Sequence, residues 1–304
     1  MKTHLTPRDL ALTLFVVAVL GFSFVPMKVG LREIPPFMMA ALRFFFAALP
    51  MVFFVGRPRM PWRFVVGYGL AIGVGQFGSL FLALSLGMPV GLSSLVIQMQ
   101  IFFTIGLGIV FLGDQVQRHN LAGAIIAAAG LSLLAVFKLT SGSTGTFLSF
   151  LLVILAAFCW GVGNTIAKRA ARAYGADMLA LVVWSSLVPP LPLFALAFAL
   201  EGGPEVIRAV ATADALTWGC VLFLAWGATL FGFASWARLM HRYPTALIAP
   251  FALLIPVSGL ASGALLLGET LAPLQMLGVA LVLAGLAENT YGAQLRARLA
   301  RSRR

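Results

Sequence analysis

The chain is 304 residues long, 61% hydrophobic and only 10% charged, with a mean hydropathy of +1.01 and a formal net charge of +12. A soluble domain carries about 25% charged residues, so composition excludes an ordinary water-soluble fold. The two cysteines, Cys159 and Cys220, form neither a disulfide framework nor a metal-ligand spacing.

Uncharged apolar runs recur along the whole chain, from 10–27 to 270–287, and the longest is 64–113. A helix needs roughly 20 apolar residues to cross a bilayer, so that run must hold two spans. The Gly87-Met88-Pro89 turn divides it. Ten spans are predicted, at 9–27, 35–55, 64–86, 91–112, 120–138, 147–167, 178–199, 215–237, 245–267 and 272–291. A β-barrel would instead alternate over strands of about ten residues. The expected fold class is therefore all-α and polytopic. The first run lacks a small-residue cleavage motif and is read as a retained helix, not a signal peptide.

Lys and Arg set the orientation. With a cytoplasmic N-terminus, 16 of them fall on the inside and four (Lys28, Arg32, Lys138, Arg208) on the outside. The positive-inside rule then puts both termini in the cytoplasm. The basic tail RARLARSRR, beside a last helix, suits anionic lipid headgroups better than nucleic acid.

The chain also repeats itself. An offset of 155 residues aligns Pro89 with Pro244, Gly113-Asp114 with Gly268-Glu269, Gly123 with Gly278 and Gly130 with Gly285. Nearer the start of each half the offset is 140, aligning Gly21 and Lys28 with Gly161 and Lys168. Two five-helix copies are expected, 1–140 and 141–304. Because five is odd, they must be inverted about an axis in the membrane plane, an architecture of secondary transporters with the substrate site near the midplane.

The five-plus-five pattern, with GFSFVPMKVG, ALRFFFAALP and GMPVGLSS, resembles the EamA family of the drug/metabolite transporter superfamily. The resemblance runs end to end. Within it, GQFGSLFLAL, SLVIQMQIFFTIGLG, FCWGVGNTIAKR and VVWSSLVPPLP look most similar to bacterial exporters of cysteine and O-acetylserine. The resemblance implies an inner-membrane exporter of small amino-acid metabolites, with a zwitterionic small molecule as cargo, no cofactor and no enzymatic activity. Substrate assignment is its weaker part, since close relatives differ in what they carry. Whether two copies pair is open.

Polar side chains inside spans are costly and need a reason. Arg43, near the middle of the second span, has two open roles: its fork matches a carboxylate, or it hydrogen-bonds helix carbonyls. Gln76, Gln98, Gln100 and Asn164 offer donors and acceptors that suit a zwitterion, and equally serve as links between helices. Trp160 shares a helix face with Asn164, and Trp184 and Ser185 lie early in the seventh span; these are candidate cavity walls. Trp236, near a span end, fits an interface belt. Residues two apart on a regular helix point about 200° apart, so Gln98 and Gln100 share one cavity only if the helix is broken. The pattern gives one to cargo and one to a neighbouring helix without choosing between them. In the second copy the matching positions are Leu253 and Ile255, flanked by Pro250 and Pro256.

Carboxylates and histidines lie at or beyond span ends or in loops. Proton antiporters usually keep such a group in the membrane interior, so downhill export is at least as favoured. Asp114 and Glu269 are expected to act as turn or capping residues. No P-loop, HExxH pair or clustered metal ligands occur. The alternatives are the same fold carrying another metabolite or drug class, including phosphorylated sugars, or a channel-like permease.

Overall fold

The computed structural model describes residues 6–114, 118–140, 147–175, 177–243 and 248–302. Among them the fold is all-helical, with no strand. Eight helices are long and apolar enough to cross a membrane: α1 (Pro7–Gly30), α2 (Pro36–Phe53), α3 (Trp62–Ser85), α4 (Val90–Leu112), α5 (His119–Phe137), α6 (Phe147–Tyr174), α7 (Met178–Leu200) and α8 (Ala215–Trp236). A shorter apolar helix, α9 (Phe251–Leu267), and a long final one, α10 (Pro273–Ser302), follow. These bounds fall within a few residues of those read from the sequence, except that α6 runs on to Tyr174 and α10 to Ser302. Residues 245–247 of the expected ninth span lie outside the described residues. So do Pro244, Lys2 and His4, residues 141–146 beside the expected 140/141 boundary, and Arg303 and Arg304 of the basic tail. Large apolar side chains such as Phe54, Val110, Leu191 and Leu265 stand exposed on the outer surface, as expected of a multi-pass membrane protein.

Glycines let helices approach closely where no hydrophobic drive exists between them. On α5 and α10, a Cβ at Gly123 would lie 2.5 Å from the Gly285 carbonyl, and one at Gly130 would lie 2.6 Å from that of Gly278. Asn120 Nδ2 donates to Asn289 Oδ1 across the same pair at 2.8 Å.

Four helices depart from α geometry in matched places. α3 and α8 each contain a π-helical stretch, Leu70–Gly78 and Phe223–Gly232. α4 tightens to a 3-10 turn at Ile97–Met99, and a 3-10 turn at Ala249–Leu253 leads into the regular part of α9. Gly113 and Gly268, both left-handed (φ 66° and 67°), end α4 and α9. The next residue's N–H then bonds back, Asp114 N to Gly108 O and Glu269 N to Gly263 O, each at 3.1 Å. Prolines account for the break in α7, which is interrupted before Pro189-Pro190; Pro189 packs where a Cβ on Gly73 of α3 would sit.

One end of the bundle is tied by carboxylates to helix N-termini. Glu201, after α7, accepts from Phe37 N (2.6 Å) and Met38 N (3.2 Å) at the start of α2. Glu269, after α9, accepts from Val90 N (2.5 Å) and Gly91 N (2.8 Å) at the start of α4. Glu33 accepts from Asp214 N (2.9 Å), just before α8. The first backbone N–H groups of a helix have no partner within it and carry positive partial charge, so an acid from another segment is a favourable cap. At the other end the links are side chain to side chain: Asp114 with Lys168 and Arg172, and Asp9 with Arg242 and with Tyr243 Oη (2.5 Å).

Candidate functional site

A cavity of about 140 Å³ lies in the middle of the bundle. Residues of α1, α2, α3, α4, α6, α8 and α9 line it, so segments from both ends of the sequence enclose it. Its walls are mostly apolar or aromatic, with Phe24, Phe77, Trp160, Phe233 and Trp236 among them. The polar groups are Ser23, Arg43, Gln76, Gln98 and Gln100. An apolar cavity with a few placed polar groups is the usual form of a small-molecule site.

Arg43 is 2% exposed. Its Nε donates to Thr229 Oγ1 of α8 at 3.1 Å, and the Thr229 hydroxyl donates in turn to Leu224 O at 2.9 Å, five residues back in the π-helical stretch. The guanidinium lies 3.9 Å from the Phe77 ring centroid of α3, close enough for a cation–π contact. The two π-helical stretches therefore meet at Arg43. Its Nη1 is buried with no hydrogen-bond partner. Gln76, also 2% exposed and in the α3 stretch, has a buried Oε1 with no partner. Buried polar atoms are nearly always satisfied, which marks this corner as unusual.

The glutamine pair is handled differently. The 3-10 turn holds about 3.0 residues per turn, so Gln98 and Gln100 stand about 120° apart by the short way instead of about 160°. Both line the cavity. Each is also tied to a neighbour. Gln98 Nε2 reaches Ala252 O, in the 3-10 turn at the start of α9, at 3.4 Å. Gln100 Oε1 accepts from Asn164 Nδ2 of α6 at 2.7 Å. Asn164 Nδ2 also donates to Thr104 Oγ1 at 3.1 Å, and Thr104 donates to Gln100 O at 2.6 Å. Asn164 thus sits behind Gln100 and holds it, while Trp160, one turn earlier on α6, reaches the cavity wall.

Trp184 and Ser185 stand away from this cavity. Trp184 Nε1 donates to Val55 O beyond α2 at 2.9 Å, and its ring packs edge-on against Trp62 at 5.9 Å. Ser185 donates to Val182 O one turn back. Trp236, which the sequence places at an interface belt, lines the cavity instead. Phe77, Phe233, Ser23 and Ile97 were not singled out from the sequence. The π-helical stretches, one carrying Phe77 and the other ending just before Phe233, have no local sequence signal. Among the described residues no group of three or more His, Cys, Asp or Glu could hold a metal ion.

A bundle of membrane-crossing helices around a small polar-edged cavity defines a membrane transporter class. The chain belongs to the EamA-like transporter family, whose model matches it twice, over residues 9–136 and 147–290. It is 43% identical over 290 residues to a probable amino-acid metabolite efflux pump of Salmonella typhimurium, covering 95% of this chain and 97% of the relative. A probable amino-acid metabolite efflux pump of Escherichia coli is 42% identical over the same shares. A solved crystal structure, 20% identical, shares the fold with a TM-score of 0.63 over 92% of this chain and 96% of that one. Family and relatives point to a transporter rather than an enzyme.

Proposed function

We propose that the protein exports small amino acids or amino-acid metabolites, such as cysteine or O-acetylserine, across a bacterial inner membrane by alternating access. Its ten spans form two inverted five-helix copies, 1–140 and 141–304, with both termini cytoplasmic. The carrying observation is the central cavity, enclosed by segments of both copies and edged by buried amides and one arginine. Its volume of about 140 Å³ lies below the ~300–1,000 Å³ of drug-sized pockets, which favours a small metabolite over a drug. A single cavity arginine suits one carboxylate better than the several oxygens of a sugar phosphate. The curated relatives named as amino-acid metabolite efflux pumps support the same class.

The inverted copies are supported by the matched π-helical stretches, 3-10 turns and left-handed glycines of the two halves. Helices broken at equivalent depth beside the site are a feature of inverted-repeat carriers. By the positive-inside rule, the end tied by Glu33, Glu201 and Glu269 is the outside. On this reading the carboxylate caps hold the outer end of the bundle together. No acid or histidine lines the cavity among the described residues, which favours downhill export driven by cytoplasmic accumulation over proton antiport.

The test is efflux from proteoliposomes loaded with a panel of labelled amino acids, with and without an imposed pH gradient. Saturable efflux of small neutral amino acids, independent of the gradient, is expected. No efflux of any member of the panel from well-folded protein overturns the reading.

A further inference from the structure

The cavity holds polar groups of two kinds. Gln98 and Gln100 already spend an amide group on α9 or α6, and their geometry serves the frame as well as the cavity. Arg43 and Gln76 are the pair left with buried, unmatched valences, a donor at Nη1 and an acceptor at Oε1. Both residues line the cavity and both are about 98% buried. Leaving either unsatisfied is expensive, more so for the charged group. Thr229 occupies only the Nε of the guanidinium, and Phe77 covers a face without taking its in-plane donors.

Resting on the exporter reading, we propose that this corner binds the head of a free α-amino acid. Arg43 donates to the α-carboxylate, and Gln76 Oε1 accepts from the α-ammonium. One donor and one acceptor, carried on neighbouring helices, are complementary to the two ends of a zwitterion. The corner accordingly selects for the head group and leaves the side chain of the cargo to the apolar and aromatic wall around Trp160 and Phe233. Selectivity then runs against decarboxylated amines, which leave Arg43 unmatched, and against N-acetylated amino acids, which remove the ammonium. Rejection of an analogue that leaves a buried polar group unpaired is the strong form of discrimination.

The experiment measures inhibition of labelled L-cysteine efflux from proteoliposomes by L-serine, ethanolamine and N-acetyl-L-serine. The wild type is expected to favour L-serine over either analogue by at least about tenfold, the scale of one hydrogen bond to a charged group. Arg43→Lys removes the fork and keeps the charge, and should collapse the preference over ethanolamine. Gln76→Leu should collapse the preference over N-acetyl-L-serine and leave the other largely intact. A merely structural role lowers protein yield or overall flux and does not move these two ratios separately. Ligand-induced thermal shifts in detergent give the same ratios for any variant too slow to assay. Wild-type protein that transports cysteine but accepts ethanolamine as readily as serine overturns the head-group corner while leaving the exporter standing. Wild-type protein with no cysteine efflux, and no thermal shift with serine, overturns both.

Discussion

The two helix ends at Gly113-Asp114 and Gly268-Glu269 share a sequence pattern and a backbone, yet they do different things. Both glycines are left-handed and both acids bond back at 3.1 Å. Glu269 spans to α4 and caps two backbone N–H groups, which no other described group satisfies. Asp114 lies at the surface between Lys168 and Arg172. Lysines recur at matched places too, for Lys168 meets Asp114 while Lys28 donates to the Leu84 carbonyl. Equivalent residues in the two halves thus hold one end of the bundle by backbone caps and the other by solvated ion pairs. A repeated motif thus specifies local geometry, and the helices packed around it specify its partner.

The largest expected effect comes from breaking the cap. Glu269→Ala leaves the α4 N-terminus without its partner and should cost about 1.5–3 kcal/mol, read as a lower unfolding midpoint in detergent. If Glu269→Ala is no worse than Asp114→Ala, the two ends are equivalent and the contrast fails. The next prediction moves to the glutamines, where α4 carries amides and the matching stretch of the second half carries Pro250 and Pro256. Gln100→Leu strips Asn164 of a 2.7 Å partner and should cost about 1–3 kcal/mol. Gln98→Leu loses a bond of 3.4 Å, near the limit of useful geometry, and should cost less than about 1 kcal/mol.

A smaller effect is the pH response of the second cap. Burial pushes the Glu201 carboxyl up from its ordinary value, against the opposing pull of the Phe37 and Met38 N–H groups. A raised pKa means the folded state binds the proton more tightly than the unfolded one. Stability therefore falls as pH rises from the ordinary glutamate value through the raised one. Glu201→Gln should flatten that slope in a melting series across the acidic range; an unchanged slope would remove Glu201 from the account. The smallest effect belongs to Asp114. Hydrogen bonds from Lys168 and then Arg172 hold its carboxyl below the usual value. Its contribution is present above the ordinary aspartate value and is lost as pH falls through the lowered one. Because the group is solvated, Asp114→Asn should change the midpoint only at low salt and not at all in high salt.

Much of the candidate site was legible because hydrocarbon makes polar residues conspicuous: Arg43, Gln76, Gln98 and Gln100 stand out in apolar runs, and all four line the cavity. Trp184 and Ser185 show the limit. They sit in an equally apolar run, but α7 breaks before Pro189-Pro190 and Trp184 turns to Val55 instead. Which of two adjacent faces meets a cavity depends on where the helix is over- or underwound, and neither the π-helical stretches nor the 3-10 turns have a reliable sequence signature.

The helical class, the approximate span limits and the set of polar residues that need a partner could all be read from the order of residues alone. Those follow from local physics, since a bilayer fixes helix length and penalises every unpaired polar group. Which partner each one found became visible with the packed helices. Gln100 went to Asn164, Gln98 to Ala252, Glu269 to the start of α4, and Arg43 and Gln76, both in the cavity lining, kept a buried donor and a buried acceptor without partners. Partner choice joins residues far apart in the chain, and it rests on helix packing that no local pattern encodes.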